Sequence, residues 1–69
     1  DTVIELPGDV YIFEFKLDGT EDQALEQIKT MGYADPYRHQ GKTLHLVGVN
    51  FSMQQRSITG WKVERIMPS

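Results

Sequence analysis

Glu14 and Lys16 are the residues whose placement first suggests chemistry. They stand two positions apart in the stretch Val10–Lys16, which reads VYIFEFK. Side chains in a strand alternate between faces, so these two project together from a segment otherwise apolar on both sides. An ionised group among buried neighbours is costly unless it is paired or bound to a metal. On the residues alone, the two are either part of a site or an ion pair on a half-exposed strand. A third charge is brought near by register. Val3–Leu6 and Val10–Leu17 are expected to form a hairpin around Pro7-Gly8. With a two- or four-residue loop, opposed residues have numbers that sum to 15, and Asp1 faces Glu14 on the same side of the sheet. A three-residue loop would shift that sum by one and turn Asp1 to the other face.

Positioning these side chains takes a hairpin, a helix and two further strands. Pro7 presets φ for the first corner of the turn and Gly8 is expected to supply a positive φ at the second. Asp18-Gly19 closes the second strand. Thr20 then starts a helix as its N-cap, with Gln23 completing a capping box and Glu21 and Asp22 suiting the positive N-terminus. Ala24, Leu25, Ile28 and Met31 form the apolar face, Gln27 borders it, and Gly32 is a stop. In Tyr33–Arg38, Pro36 disfavours a helical Asp35 but can open a short turn, and the two tyrosines are expected to pack on the sheet. Thr43–Phe51, TLHLVGVNF, is a third strand apolar enough to be covered on both faces. Ser52–Thr59 reads as a polar loop. Gly60–Ile66 reads as the last strand, with Trp61 in the core. The order is β-β-α-β-β. A crossover of this length makes the second and third strands parallel neighbours, connected right-handedly. The fold class is α/β (α+β): a mixed sheet with one main helix packed on it.

The 69 residues make one small domain, 1–69, with 39% apolar and 25% charged residues, the balance of a globular chain. There is no cysteine to form a disulfide or a thiolate metal site, which fits a cytoplasmic setting. No apolar run approaches the roughly 20 residues that span a bilayer, so no membrane is expected as a partner. A net charge of −3 disfavours a stand-alone nucleic-acid-binding module, because phosphate neutralisation dominates such affinity. Gly48 and Gly60 stand alone, so no phosphate loop for ATP is present. His39 lies in a polar turn. His45 lies among apolar strand residues and reads as a satisfied face histidine.

Asp1, twelve residues, then Glu14-Phe15-Lys16 resembles the D…(D/E)-x-K signature of the PD-(D/E)XK nuclease superfamily, the restriction-endonuclease-like fold. DTVIELPGDVYIFEFK, ALEQIKTMGYADPY, LVGVNFS and the closing Trp61–Glu64 resemble one bacterial subfamily in particular. That subfamily is the nuclease-like domain ending AAA-ATPase-like proteins. The resemblance covers essentially the whole chain. It implies a truncated restriction-endonuclease-like core, a C-terminal fragment whose first helix and strand precede Asp1. It also implies an upstream ATPase domain as partner, and a sheet edge open to homo-oligomer formation.

The resemblance further implies a nuclease hydrolysing phosphodiester bonds of DNA with Mg²⁺ or Mn²⁺. Asp1, Glu14 and the backbone carbonyl of Phe15 would be the metal ligands. Lys16 would orient or deprotonate water or stabilise charge on the phosphate, and Gln27 would support the site from the helix. Tyr33 is a second supporting candidate. The rival expectation is an inactive nuclease-fold module that mediates interaction with the attached ATPase domain.

Overall fold

The computed structural model describes residues 2–68. Its elements are β1 (Thr2–Glu5), β2 (Asp9–Leu17), α1 (Glu21–Thr30), a 3₁₀ turn (Asp35–Tyr37), β3 (Thr43–Ser52) and β4 (Ser57–Ile66). The four strands form one sheet in the order β1-β2-β3-β4. The β2–β3 pair is parallel and the other two pairs are antiparallel, as the crossover helix requires.

The β1–β2 register pairs Thr2 with Phe13 and Glu5 with Val10, numbers that sum to 15 as expected. The turn is made differently, however. Gly8 stays outside the left-handed region, and the loop closes through Leu6 N–H donating to the Asp9 carbonyl at 2.8 Å. No left-handed corner is therefore needed at Gly8.

The capping box of α1 is present in both halves. Gln23 N–H donates to Thr20 Oγ1, and Thr20 N–H donates to Gln23 Oε1, each at 3.0 Å. At the other end, Tyr33 N–H reaches the Ile28 carbonyl and Gly32 N–H reaches the Lys29 carbonyl, both at 3.2 Å. This pair of bonds needs a left-handed residue after the last turn, and Gly32 supplies it with φ 69°. Ala24, Leu25 and Ile28 are buried, but Met31 is exposed. Met31, the C-cap, keeps a helical backbone and still donates to the Gln27 carbonyl, but its side chain lies at the open cleft beside Leu17, where no element covers it among the described residues.

The core lies between α1 and one sheet face. Val10, Ile12, Ile28 and Leu46 are fully buried there, each worth about 1.5–3 kcal/mol of burial. Tyr33 and Tyr37 pack against this cluster. Two exposed ion pairs, Lys29–Glu64 and Lys62–Asp22, both 2.7 Å, link α1 to β4.

Two expectations on the last strand are corrected. β4 begins at Ser57, so the polar loop shrinks to a turn at 53–56. Serine 52 and 57 pair, and an irregularity between Asn50 and Phe51 absorbs the extra residue. Trp61 is not core: it is 69% exposed, on the face away from α1. Ile4, Phe15 and Val63 are exposed on that same face. Burial on this face depends on what covers it, which β-periodicity cannot report.

Candidate functional site

Even-numbered residues of β2 face the helix. Val10 and Ile12 belong to the core, and Glu14 and Lys16 continue the same row toward the strand's end. Glu14 lies beside Gly48 in the parallel pairing. A Cβ at Gly48 would meet the Glu21 carbonyl oxygen at 2.5 Å and the Leu25 nitrogen at 2.9 Å. The missing side chain therefore lets the first turns of α1 settle onto β3, next to Glu14. Glu14 is only 8% exposed, and its Oε2 is buried without a hydrogen-bond partner.

Lys16 does not pair with Glu14. Its Nζ donates to Gln27 Oε1 on α1. The structure thus brings Glu14, Lys16 and Gln27 to one side of the sheet, with the amine steered toward the helix. An open cleft of about 580 Å³ runs beside Lys16 and Gln27, lined also by Asp18, Gln23, Glu26 and Thr30; Glu14 is not among its lining residues.

The Phe15 side chain lies on the opposite face, half exposed. Its backbone is placed differently. In a parallel pair, alternate residues direct both N–H and C=O to the same neighbour. Gly8 C=O accepts from Thr43 N–H, and Asp18 N–H donates to the Phe51 carbonyl, so the even residues of β2 serve β3. The Phe15 carbonyl therefore points to the β1 side. Among the described residues the β1 ladder stops at Thr2, opposite Phe13. Asp1, the remaining expected ligand, lies outside the described residues. Among those described, no three histidine, aspartate or glutamate side chains cluster closely enough to hold a metal ion. The buried, orphaned oxygen of Glu14 nevertheless fits a ligand for a hard cation.

Two residues of this region escaped sequence reasoning. One is Gly48, whose signal was a glycine inside an apolar strand, a mark of close backbone approach. The other is Asn50, beside Lys16 in the register. Its Oδ1 accepts from Gly19 N–H at 2.8 Å and its Nδ2 donates to Thr59 Oγ1 at 3.0 Å. It ties the β2–α1 loop to β3 and β4, a role foreshadowed by an amide in an apolar run. Tyr33 serves the core packing. His39 is exposed. His45 is buried on the face away from α1, stacked on Tyr11 with centroids 4.2 Å apart. Its Nε2 meets Asp9 Oδ1 at 2.8 Å, while Nδ1 has no partner, so it is only half satisfied.

The family model of the PD-(D/E)XK nuclease superfamily matches residues 1–61. A protein of Azotobacter chroococcum mcd 1, described as an uncharacterized protein in the vnfD 5' region, is 46% identical over 68 residues. The match takes in 96% of this chain and 13% of that protein's length. No solved structure matches the chain.

Proposed function

The chain belongs to the PD-(D/E)XK nuclease superfamily, and from that premise we propose that it is the nuclease domain of a longer protein, hydrolysing phosphodiester bonds of DNA with Mg²⁺ or Mn²⁺. One observation carries the proposal: the buried Glu14 carboxylate has an oxygen with no partner. Leaving such a group unsatisfied costs about 1–3 kcal/mol, which a coordinated cation would offset. Asp1, Glu14 and the Phe15 carbonyl would hold the ion. When bound, such an ion polarises a phosphate and lowers the pKa of a bound water. Lys16 contributes positive charge where negative charge develops on the phosphate oxygens. Gln27, as acceptor for the Lys16 amine, fixes its direction. An open cleft of about 580 Å³ adjoins Lys16 and Gln27.

In the full-length protein, Glu14→Ala is expected to abolish Mn²⁺ binding in titration calorimetry and DNA cleavage with it. Lys16→Ala is expected to keep the ion bound and lose cleavage. Full-length wild-type protein that binds no Mn²⁺ would overturn the proposal.

A second function, a silent nuclease fold that docks the attached ATPase region, is favoured by the exposed apolar sheet face bearing Ile4, Phe15, Trp61 and Val63. Salt-dependent DNA binding by the full-length protein would count against it.

A further inference from the structure

The end of the sheet away from Glu14 and Lys16 holds a cavity of about 220 Å³. Its floor is apolar, made by Leu44 of β3, Ile66 of β4 and Tyr37 of the 3₁₀ turn. Its rim carries Arg38, His39 and Lys42, all from the loop before β3. The two cations have acidic neighbours: Arg38 Nε donates to Asp35 at 3.2 Å and Lys42 Nζ to Glu5 at 3.4 Å. Neither carboxylate lines the cavity, and both are solvent-exposed, so these pairs are weak competitors for an anion. In a chain of net charge −3, the cavity thus carries Arg38 and Lys42 on its rim and, among the described residues, no acidic side chain in its lining.

The loop is held in this shape. Gln40 Nε2 donates to the Pro36 carbonyl at 3.2 Å, and Thr43 N–H donates to the Gly8 carbonyl at 3.1 Å. His39 sits at φ 68°, in the left-handed region that a residue with a Cβ enters at a cost of about 1–3 kcal/mol. Strain of this kind persists where the surroundings over-determine it, and here it accompanies an arginine and a lysine on the same rim.

We infer that this cavity binds a phosphate monoester of one uncharged nucleoside, either as a free nucleotide or as the terminal nucleotide of a strand. A guanidinium fork and an ammonium match phosphate oxygens. The apolar floor takes the uncharged ring, with Tyr37 as an aromatic neighbour. The volume falls below the roughly 300–1,000 Å³ of drug-sized sites, which limits the occupant to that scale. Leu44 pairs with Val10, and Lys16 lies six residues further along β2, so about 20 Å separates the two places at about 3.3 Å per residue. A phosphate bound here is not one positioned beside Lys16, and the inference does not depend on the nuclease proposal.

The test is an NMR-detected titration of the full chain with adenosine 5'-monophosphate, adenosine, inorganic phosphate, and a tetranucleotide with or without a 5'-phosphate. The monophosphate is expected to shift the amides of residues 38–44 and to bind at least tenfold more tightly than adenosine or phosphate alone. Arg38→Ala with Lys42→Ala is expected to weaken it at least tenfold, and Arg38→Lys, which keeps the charge and removes the fork, to weaken it less. Thermal melts of each variant confirm that it folds. Tighter binding of the phosphorylated tetranucleotide than of the mononucleotide assigns the site to strand ends, and the reverse assigns it to free nucleotides. Equal affinity for phosphate and nucleotide, shifts confined to other residues, or an unchanged affinity in the double variant would each overturn the inference.

Discussion

Glu14 and Lys16 share a face of β2, yet the amine goes to Gln27 and leaves the carboxylate without it. A buried polar atom left unpaired is a stability cost, and replacing it with an apolar group of similar size removes that cost. Glu14→Leu is therefore expected to stabilise the chain by about 1–3 kcal/mol in urea denaturation while removing its Mn²⁺ binding. A loss of stability would mean that the carboxylate is satisfied in solution. The strand period was enough to place Glu14 and Lys16 together, and the helix period put Gln27 at the border of the buried face. Which of them would touch was not legible, because it depends on where α1 seats over the sheet.

That seat is Gly48. Any side chain there must push against the backbone of α1 rather than against a flexible neighbour. Gly48→Ala is expected to destabilise the fold by about 1–3 kcal/mol, the usual cost of overpacking, and to weaken Mn²⁺ binding by shifting α1 off Glu14. Unchanged denaturation and ion affinity would sink this account. The opposite side of the helix is tied by charge. Hydrogen bonds to Glu64 and Asp22 hold the pKa values of Lys29 and Lys62 above the ordinary lysine value. A raised folded-state pKa contributes stability below the ordinary value of about 10.4, and that contribution is lost as pH rises through the folded-state value. Both pairs are exposed, so the effect is small and screened by salt. Lys29→Met with Lys62→Met is expected to melt slightly below wild type at neutral pH, with the gap closing at alkaline pH or in 1 M salt. A gap that persists at high pH would point to lost packing instead. The caps and apolar face of α1 were readable because they are local, spaced by the helix itself. Met31 was misplaced because its burial turns on how far the sheet extends beneath the last turn, which the helix period does not report.

Among the described residues a helix covers one face of the sheet only, while on the other face His45, Val47 and Val49 of β3 are buried by side chains of the neighbouring strands and Trp61 and Phe15 are left exposed. The β1–β2 register follows from loop length and the parallel β2–β3 pairing from a crossover, which is why they could be inferred from the chain. Trp61 could not, since an alternating strand looks the same whether its second face is packed or bare. With Trp61 69% exposed, its fluorescence in the isolated chain is expected to match that of a solvated indole and to be readily quenched by iodide. Blue-shifted, protected emission would show that the face is covered, by self-association or by rearrangement.

The parallel pairing of β2 with β3 also decides when the site comes into being. The β1–β2 and β3–β4 hairpins close over short loops, which is fast. Joining β2 to β3 requires the intervening helix and turn to be brought round first, and such non-local contacts form late. Glu14 is enclosed only when Gly48 arrives beside it and α1 lies across both strands. A nascent or partly unfolded chain therefore carries this carboxylate open to water, with the Lys16 amine not yet held by Gln27. Enclosure of the Glu14 carboxylate is thus tied to completion of the fold, so that a chain in which β2 has not yet met β3 lacks the buried, unpartnered oxygen.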